Sequence, residues 1–178
     1  SSGVSQKVSI ELTGGAGTPA SLSLGLSQTS VKSDNSDSST ITATVLDANK
    51  AVLEGIVVAF SASGGQISAS SGKTDANGQA KITFSSGTTD RSNQTVTITA
   101  TVSGLAPQLI PIQISGSTLT ITAGNTNLTA GGATTTLTVT AKDAGGNLVF
   151  GAPITLSTNG PEVTVSPTSG TTAVNGQF

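Results

Sequence analysis

The sequence predicts an all-β protein made of tandem immunoglobulin-like β-sandwich repeats, of antiparallel Greek-key type. Three observations carry that reading: a period-two alternation of apolar residues with Thr and Ser, Gly- and Asn-rich turns between the alternating runs, and an internal repeat near 97 residues.

The alternation is clearest in three runs. Residues 39–47 put Ile41, Ala43 and Val45 on one face and Thr40, Thr42 and Thr44 on the other. Residues 94–102 do the same with Val96, Ile98, Ala100 and Val102, and residues 135–143 with Leu137, Val139 and Ala141. A strand with one buried and one wet face needs this spacing, because successive side chains leave opposite faces of the sheet. Thr suits the wet face: its β-branch favours extended backbone while its hydroxyl stays hydrated. No run has a 3.6-residue period. Turn clusters fall between the runs, at 63–65, 76–78, 85–87, 130–132 and 144–147.

The repeat emerges on aligning residues 40–61 with 136–157 at an offset of 96, which pairs Asp47 with Asp143, Gly55 with Gly151, Val58 with Ile154, and Phe60 with Leu156. Asn-Gly-Gln recurs at 77–79 and 175–177, and the apolar alternation at 22–24 recurs at 119–121. A period of this length is about the size of one immunoglobulin-like domain. In this register residues 1–15 are expected to be the last strand of a preceding repeat, with Val8, Ile10 and Leu12 in the places of Ile110, Ile112 and Ile114. Residues 19–115 form one complete repeat, and 118–178 the first part of another. Phe60 and Phe84 are expected as the largest core fillers. The connection Ser115-Gly116-Ser117 is short, which limits relative motion of the two repeats while small residues leave some bend.

The stretch 47–84 resembles the bacterial immunoglobulin-like domain of group 1, the Big-1 repeat of the intimin and invasin adhesins. Gly55, Val58 and Phe60, then Gly64 and Gly65, then Thr74, Asp75, Asn77, Gly78 and Ala80 carry the resemblance. It covers 19–115 and continues less closely through 118–178, where the pattern departs at Thr172 and Ala173 and the hairpin Asp is missing. The resemblance implies extracellular repeats in a protein of the bacterial cell surface, a stalk that displays a distal binding domain, and no catalysis. The partners it implies are neighbouring repeats of the same chain, and a host or cell-surface receptor reached through regions outside these residues.

Composition narrows the chemistry. The chain of 178 residues has no Cys, His, Trp, Tyr or Met, and a formal net charge of −2. Without Cys and His there is no disulfide framework, thiolate nucleophile or usual zinc set. Lys and Arg total 7, scattered without the basic stripe that phosphates require, so nucleic acid is not expected as a partner. No apolar run is long enough to span a membrane as a helix.

Asp75 heads an Asp-x-Asn-Gly stretch that invites a calcium reading. An EF-hand frame from Asp75 places Lys81 and Thr83 at ligand positions, and Ser86 where a closing Glu is needed. The expected role is therefore a turn, with Asn77-Gly78 supplying left-handed backbone and Asp75 accepting from nearby N–H groups. Residues 47–50 and 143–147 are read the same way. Asp34, Asn35 and Asp37 are the one set that could converge on a cation, against the simpler reading of a solvated loop. The acids are otherwise spread singly and no Ser has a base partner. No catalytic, cofactor or metal residue is predicted. Two rival roles stand beside the stalk: repeats that themselves bind a host protein or glycan, and a self-assembling fibre in which strand 7–12 completes a neighbour's 118–178.

Overall fold

The computed structural model describes residues 17–178, so the strand expected at 7–12 lies outside the described residues. Those residues contain no helix. Nine strands lie in the first part of the chain: β1 (Ser21–Leu26), β2 (Ser30–Lys32), β3 (Ser39–Leu46), β4 (Val57–Ala62), β5 (Gln66–Ile67), β6 (Ser71–Lys73), β7 (Gln79–Ser85), β8 (Gln94–Thr101) and β9 (Gln108–Ser115). They form two sheets, of order β1-β3-β7-β5 and β2-β9-β8-β4-β6.

The alternation seen in the sequence sets which face of each strand is buried. Ile41, Ala43 and Val45 of β3 are fully buried, as are Val96, Ile98 and Ala100 of β8 and Ile112 of β9. Phe84 is fully buried and Phe60 nearly so, between the two sheets. Ile110 is only partly buried, because it lies near the open start of β9. Removing these side chains from water is the main favourable contribution to folding, at about 25 cal/mol for each Å² of apolar surface.

One pairing departs from the antiparallel expectation. β2 runs parallel to β9, with Val31 opposite Ile114. The chain leaves β1 in one sheet and enters β2 at the edge of the other within a few residues, without reversing direction. This crossover buries Val31 against the core and brings Ser33, just beyond β2, to the end of the sandwich.

Residues 118–178 hold four strands: β10 (Thr118–Ala123), β11 (Leu137–Lys142), β12 (Pro153–Thr155) and β13 (Ser169–Thr171). β10 pairs antiparallel with β11, and β12 with β13. Beside β11, Gly176 and Phe178 begin a further pairing: the Ala141 N–H donates to the Gly176 carbonyl at 2.9 Å, as the Val45 N–H does to Gly78 at 2.9 Å. The buried apolar residues here are Val139, Ala141, Val149, Ala152 and Ile154.

The expected inward face of β10 is not buried. Leu119 is 60% exposed and Ile121 58%, whereas on β1 Leu22, the counterpart of Leu119, is 8% exposed and Leu24, the counterpart of Ile121, is partly buried. In the first sandwich β8 and β9 close the core opposite β1. Within residues 118–178, β10 pairs with β11 alone.

Candidate functional site

The Asp-headed stretches are turns, built alike. Asp47 Oδ1 accepts from the Asn49 and Ala51 N–H groups, each at 2.8 Å. Asp75 Oδ1 accepts from Asn77 at 2.8 Å and Gln79 at 3.0 Å. Asp143 Oδ1 accepts from Gly145 at 3.0 Å and Asn147 at 2.8 Å. In each, one carboxylate oxygen takes the N–H groups two and four positions on, the local bonding that lets Asp organise a turn. At Asp75 the Gln79 and Asn77 backbone N–H groups favour the ionised carboxylate and hold its carboxyl below the ordinary value.

Asp34, Asn35 and Asp37 do not converge. Asp34 Oδ1 accepts from the Ser36 N–H at 3.0 Å, and the Ser36 side chain and N–H together hold its carboxyl below the ordinary value. Asn35 sits in left-handed backbone (φ 63°) and its Oδ1 accepts from the Gly87 N–H at 3.0 Å. Asp37 Oδ1 accepts from the Lys32 N–H at 2.7 Å. Asp34 and Asp37 thus close their own loop, while Asn35 ties it to the loop at Gly87. Among the described residues no three Asp or Glu side chains gather.

The richest polar site lies instead where the chain passes from β9 to β10. The Asn93 side-chain amide brackets Ser117, its Oδ1 accepting from the Ser117 N–H at 2.9 Å and its Nδ2 donating to the Ser117 carbonyl at 3.0 Å. The Ser117 hydroxyl donates to the Arg91 carbonyl. Ser115 is tied to Ser30 through their hydroxyls at 2.9 Å, and its carbonyl accepts from the Ser33 N–H at 2.9 Å.

The turn 143–147 docks on the same end of the sandwich. The Ser33 hydroxyl, fully buried, accepts from the Ala144 N–H at 3.0 Å. Gly116 (φ 103°) touches Ala144 so closely that a Cβ on it would stand 2.7 Å from the Ala144 methyl. A Cβ on Gly145 would meet Asp34 Oδ2 at 3.0 Å. Arg91 donates to Asp143 Oδ2 at 2.6 Å, with the Asp143 side chain fully buried and that of Arg91 26% exposed. Burial raises the Asp143 carboxyl pKa. The Asn147 side chain and N–H, Arg91 and the Gly145 N–H outweigh it and hold the group below its ordinary value.

Asp143 is read correctly from sequence as a turn residue, but its pairing with Arg91 is missed. The partners are 52 positions apart with no periodic signal joining them. The available hint is compositional: Arg91 is the single Arg in a chain with little charge. Thr172, expected as a departure from the pattern, keeps its part: its hydroxyl accepts from the Ala152 N–H at 3.0 Å and donates to the Val149 carbonyl at 2.6 Å. Thr74 does the same with Ile56 and Leu53. The departure is confined to Ala173, which keeps the backbone bonds of Asp75 and loses those of its side chain.

Comparisons with known proteins agree with this architecture. The chain is similar to the Yersinia pseudotuberculosis adhesin InvE, with 23% identity over 88% of this chain and 49% of that one and a TM-score of 0.60. It is also similar to invasin, a bacterial integrin-binding protein, with 22% identity over 76% of this chain and 28% of that one and a TM-score of 0.51. The D0-D1 domain of intimin aligns with 24% identity over 88% of this chain and 80% of that one, at a TM-score of 0.47. The chain thus spans about half of the InvE structure and less of invasin. No curated protein sequence matches it. The family model for the bacterial Ig-like domain (group 1) matches residues 21–113, which is more than half of the chain and runs from the first strand of the sandwich into its last. The chain belongs to the bacterial Ig-like domain (group 1) family.

Proposed function

We propose that this chain is a non-catalytic spacer of a bacterial surface adhesin, with residues 19–115 as one complete domain and 118–178 as part of a second, holding a distal binding region away from the cell. The observation that carries this is the junction. Hydrogen bonds hold both Ser115 and Ser117, on either side of Gly116, to the sandwich, which supports a connection with little freedom. Stacked domains that contact only their neighbours span distance in this way. The low charge and Thr-rich exterior support the same role by limiting nonspecific electrostatic attraction. Family membership supports the extracellular location.

A second reading is favoured by one surface. Phe150 is 65% exposed and Leu148 49%, and both line an open groove with Thr88, Thr89 and Arg91 beside the junction. Exposed aromatic and aliphatic side chains next to a cation are the usual ingredients of a protein contact. Under this reading the chain itself touches a host receptor, much as invasin binds integrin.

Titration of the 178-residue chain on host epithelial cells separates the two. The spacer reading expects no saturable binding. Saturable binding that Phe150→Ser abolishes overturns it in favour of the adhesive reading.

A further inference from the structure

We infer that Arg91, Ser33 and Asn93 form a three-point lock that fixes the orientation of the segment from β10 to β13 on the preceding sandwich, with Asp143 and its turn as the latch. This deepens the spacer reading and rests on it, because a spacer transmits reach only if its joints hold their angle.

The argument is geometric. A chain connection alone constrains one point and leaves bending and twisting free. Here the connection is held at Ser117 by the Asn93 amide, which uses both a donor and an acceptor on one residue. A second point is the Ala144 N–H on the buried Ser33 hydroxyl. The third is Arg91 on Asp143. The three anchors come from two places in the sandwich: Ser33 from the end of β2, and Arg91 and Asn93 from the loop before β8. They meet the partner segment before β10 and after β11. Contacts on the connection at Ser117 and on the turn beyond β11 together oppose both bend and twist.

The chemistry separates Asp143 from its two relatives. Asp47 and Asp75 spend Oδ1 on their own turns and make no side-chain bond outside them among the described residues. Asp143 spends Oδ1 on its own turn and gives Oδ2 to Arg91 and to the Asn147 amide. A buried carboxylate is costly unless its oxygens are hydrogen-bonded, and losing one partner of a buried pair costs far more than losing an exposed pair. Glycine at 116 and 145 allows the close approach, since a Cβ at either position would press on Ala144 or Asp34. The lock therefore rests on side chains and on two residues that lack them.

The test is residual dipolar couplings and ¹⁵N relaxation on the whole 178-residue chain. In the unaltered chain the amides of β1–β9 and those of β10–β13 are expected to share one alignment tensor and one correlation time. Arg91→Ala is expected to at least halve the alignment of β10–β13 relative to the sandwich, with Arg91→Lys recovering part of it. Ser33→Ala leaves Asp143 paired and is expected to give a smaller loss in the same direction. Should Arg91→Ala melt residues 118–178, Ser33→Ala decides the matter. Independent tumbling in the unaltered chain, or tensors unmoved by Arg91→Ala and Ser33→Ala, would overturn the lock. Neither result bears on receptor binding, which the cell titration reads separately.

Discussion

Thr74 and Thr172, at an offset of 98, occupy the same chemical position: each buried hydroxyl accepts one backbone N–H and donates to one backbone carbonyl of the segment that leads into β4 or β12. For Thr74 the partners are the Ile56 N–H at 2.9 Å and the Leu53 carbonyl at 2.5 Å. The hydroxyl stands in for backbone pairing where the chain bends past Gly55, whose φ of +77° no ordinary side chain favours.

Thr74→Val is therefore expected to destabilise the sandwich beyond the loss of one average hydrogen bond. It keeps the shape but strands a buried donor and acceptor, at about 1–3 kcal/mol for each group left unmade. Thr74→Ser keeps the hydroxyl and loses one methyl, at roughly 1 kcal/mol. Urea unfolding of the two variants checks this. The reading fails if Val is no worse than Ser.

Two glycines divide backbone conformation from packing. Gly78 has a φ of +70°, and a Cβ there would stand 2.9 Å from both the Val45 carbonyl oxygen and the Val52 Cβ. Gly78→Ala is expected to cost more than the ~1–2 kcal/mol of the left-handed conformation alone. Gly25 lies in β1 with ordinary backbone and nothing within 4 Å of an added Cβ. Gly25→Ala is expected to stabilise by about 0.5–1 kcal/mol through loss of unfolded-chain freedom. Thermal melts of the pair should move in opposite directions.

Much of this was legible in the chain itself, for a physical reason. Burial of one strand face imposes period two. The runs at 39–47, 94–102 and 135–143 accordingly became β3, β8 and β11, with Ile41, Val96, Ile98 and Val139 buried. Turn chemistry is equally local: Asp75 bonds to residues two and four ahead, so its role is written within five residues. What escaped was non-local. The parallel pairing of β2 with β9 follows from a crossover between sheets, and Arg91 finds Asp143 only once both ends of the junction are folded. Alternation alone does not guarantee burial. Leu119 and Ile121 carry the pattern of a core face and stand exposed.

Ala173 offers a gain-of-bond test. It holds the place of Asp75 in the later hairpin, with the same backbone bonds: its N–H donates to the Gln177 carbonyl at 2.8 Å, and the Gly176 N–H donates to its carbonyl at 2.9 Å. Ala173→Asp is expected to place a carboxylate oxygen on the Asn175 and Gln177 N–H groups. Amide hydrogen exchange at those two positions should slow, while exchange in β1–β9 stays unchanged. Unchanged rates at 175 and 177 would mean that the Asp-headed turn depends on more than its backbone frame.

Acid should weaken the junction before it harms the first sandwich's core. Asp34, Asp75 and Asp143 all sit below the ordinary aspartate value of 3.8 in the folded chain. A carboxyl lowered by folding binds fewer protons folded than unfolded in the window between its two pKa values. The stability it contributes is then present in full above the unfolded pKa and is lost as pH falls through the folded one. Stability should therefore be flat near neutrality and fall below about pH 4. At the junction, burial opposes the ionised Asp143 and the Asn147, Arg91 and Gly145 donors favour it, while Lys32 favours ionisation of nearby Asp34 and Asp143 opposes it. Protonated Asp143 keeps its place but gives up its charge-assisted bond to Arg91. Dipolar couplings across a titration from pH 7 to pH 2.5 should lose the common alignment of β1–β9 and β10–β13 while the amides of β3 and β8 remain protected. Arg91→Ala should remove this step. A junction that holds its alignment until the sandwich itself unfolds would instead assign the joint to Ser33 and Asn93 alone.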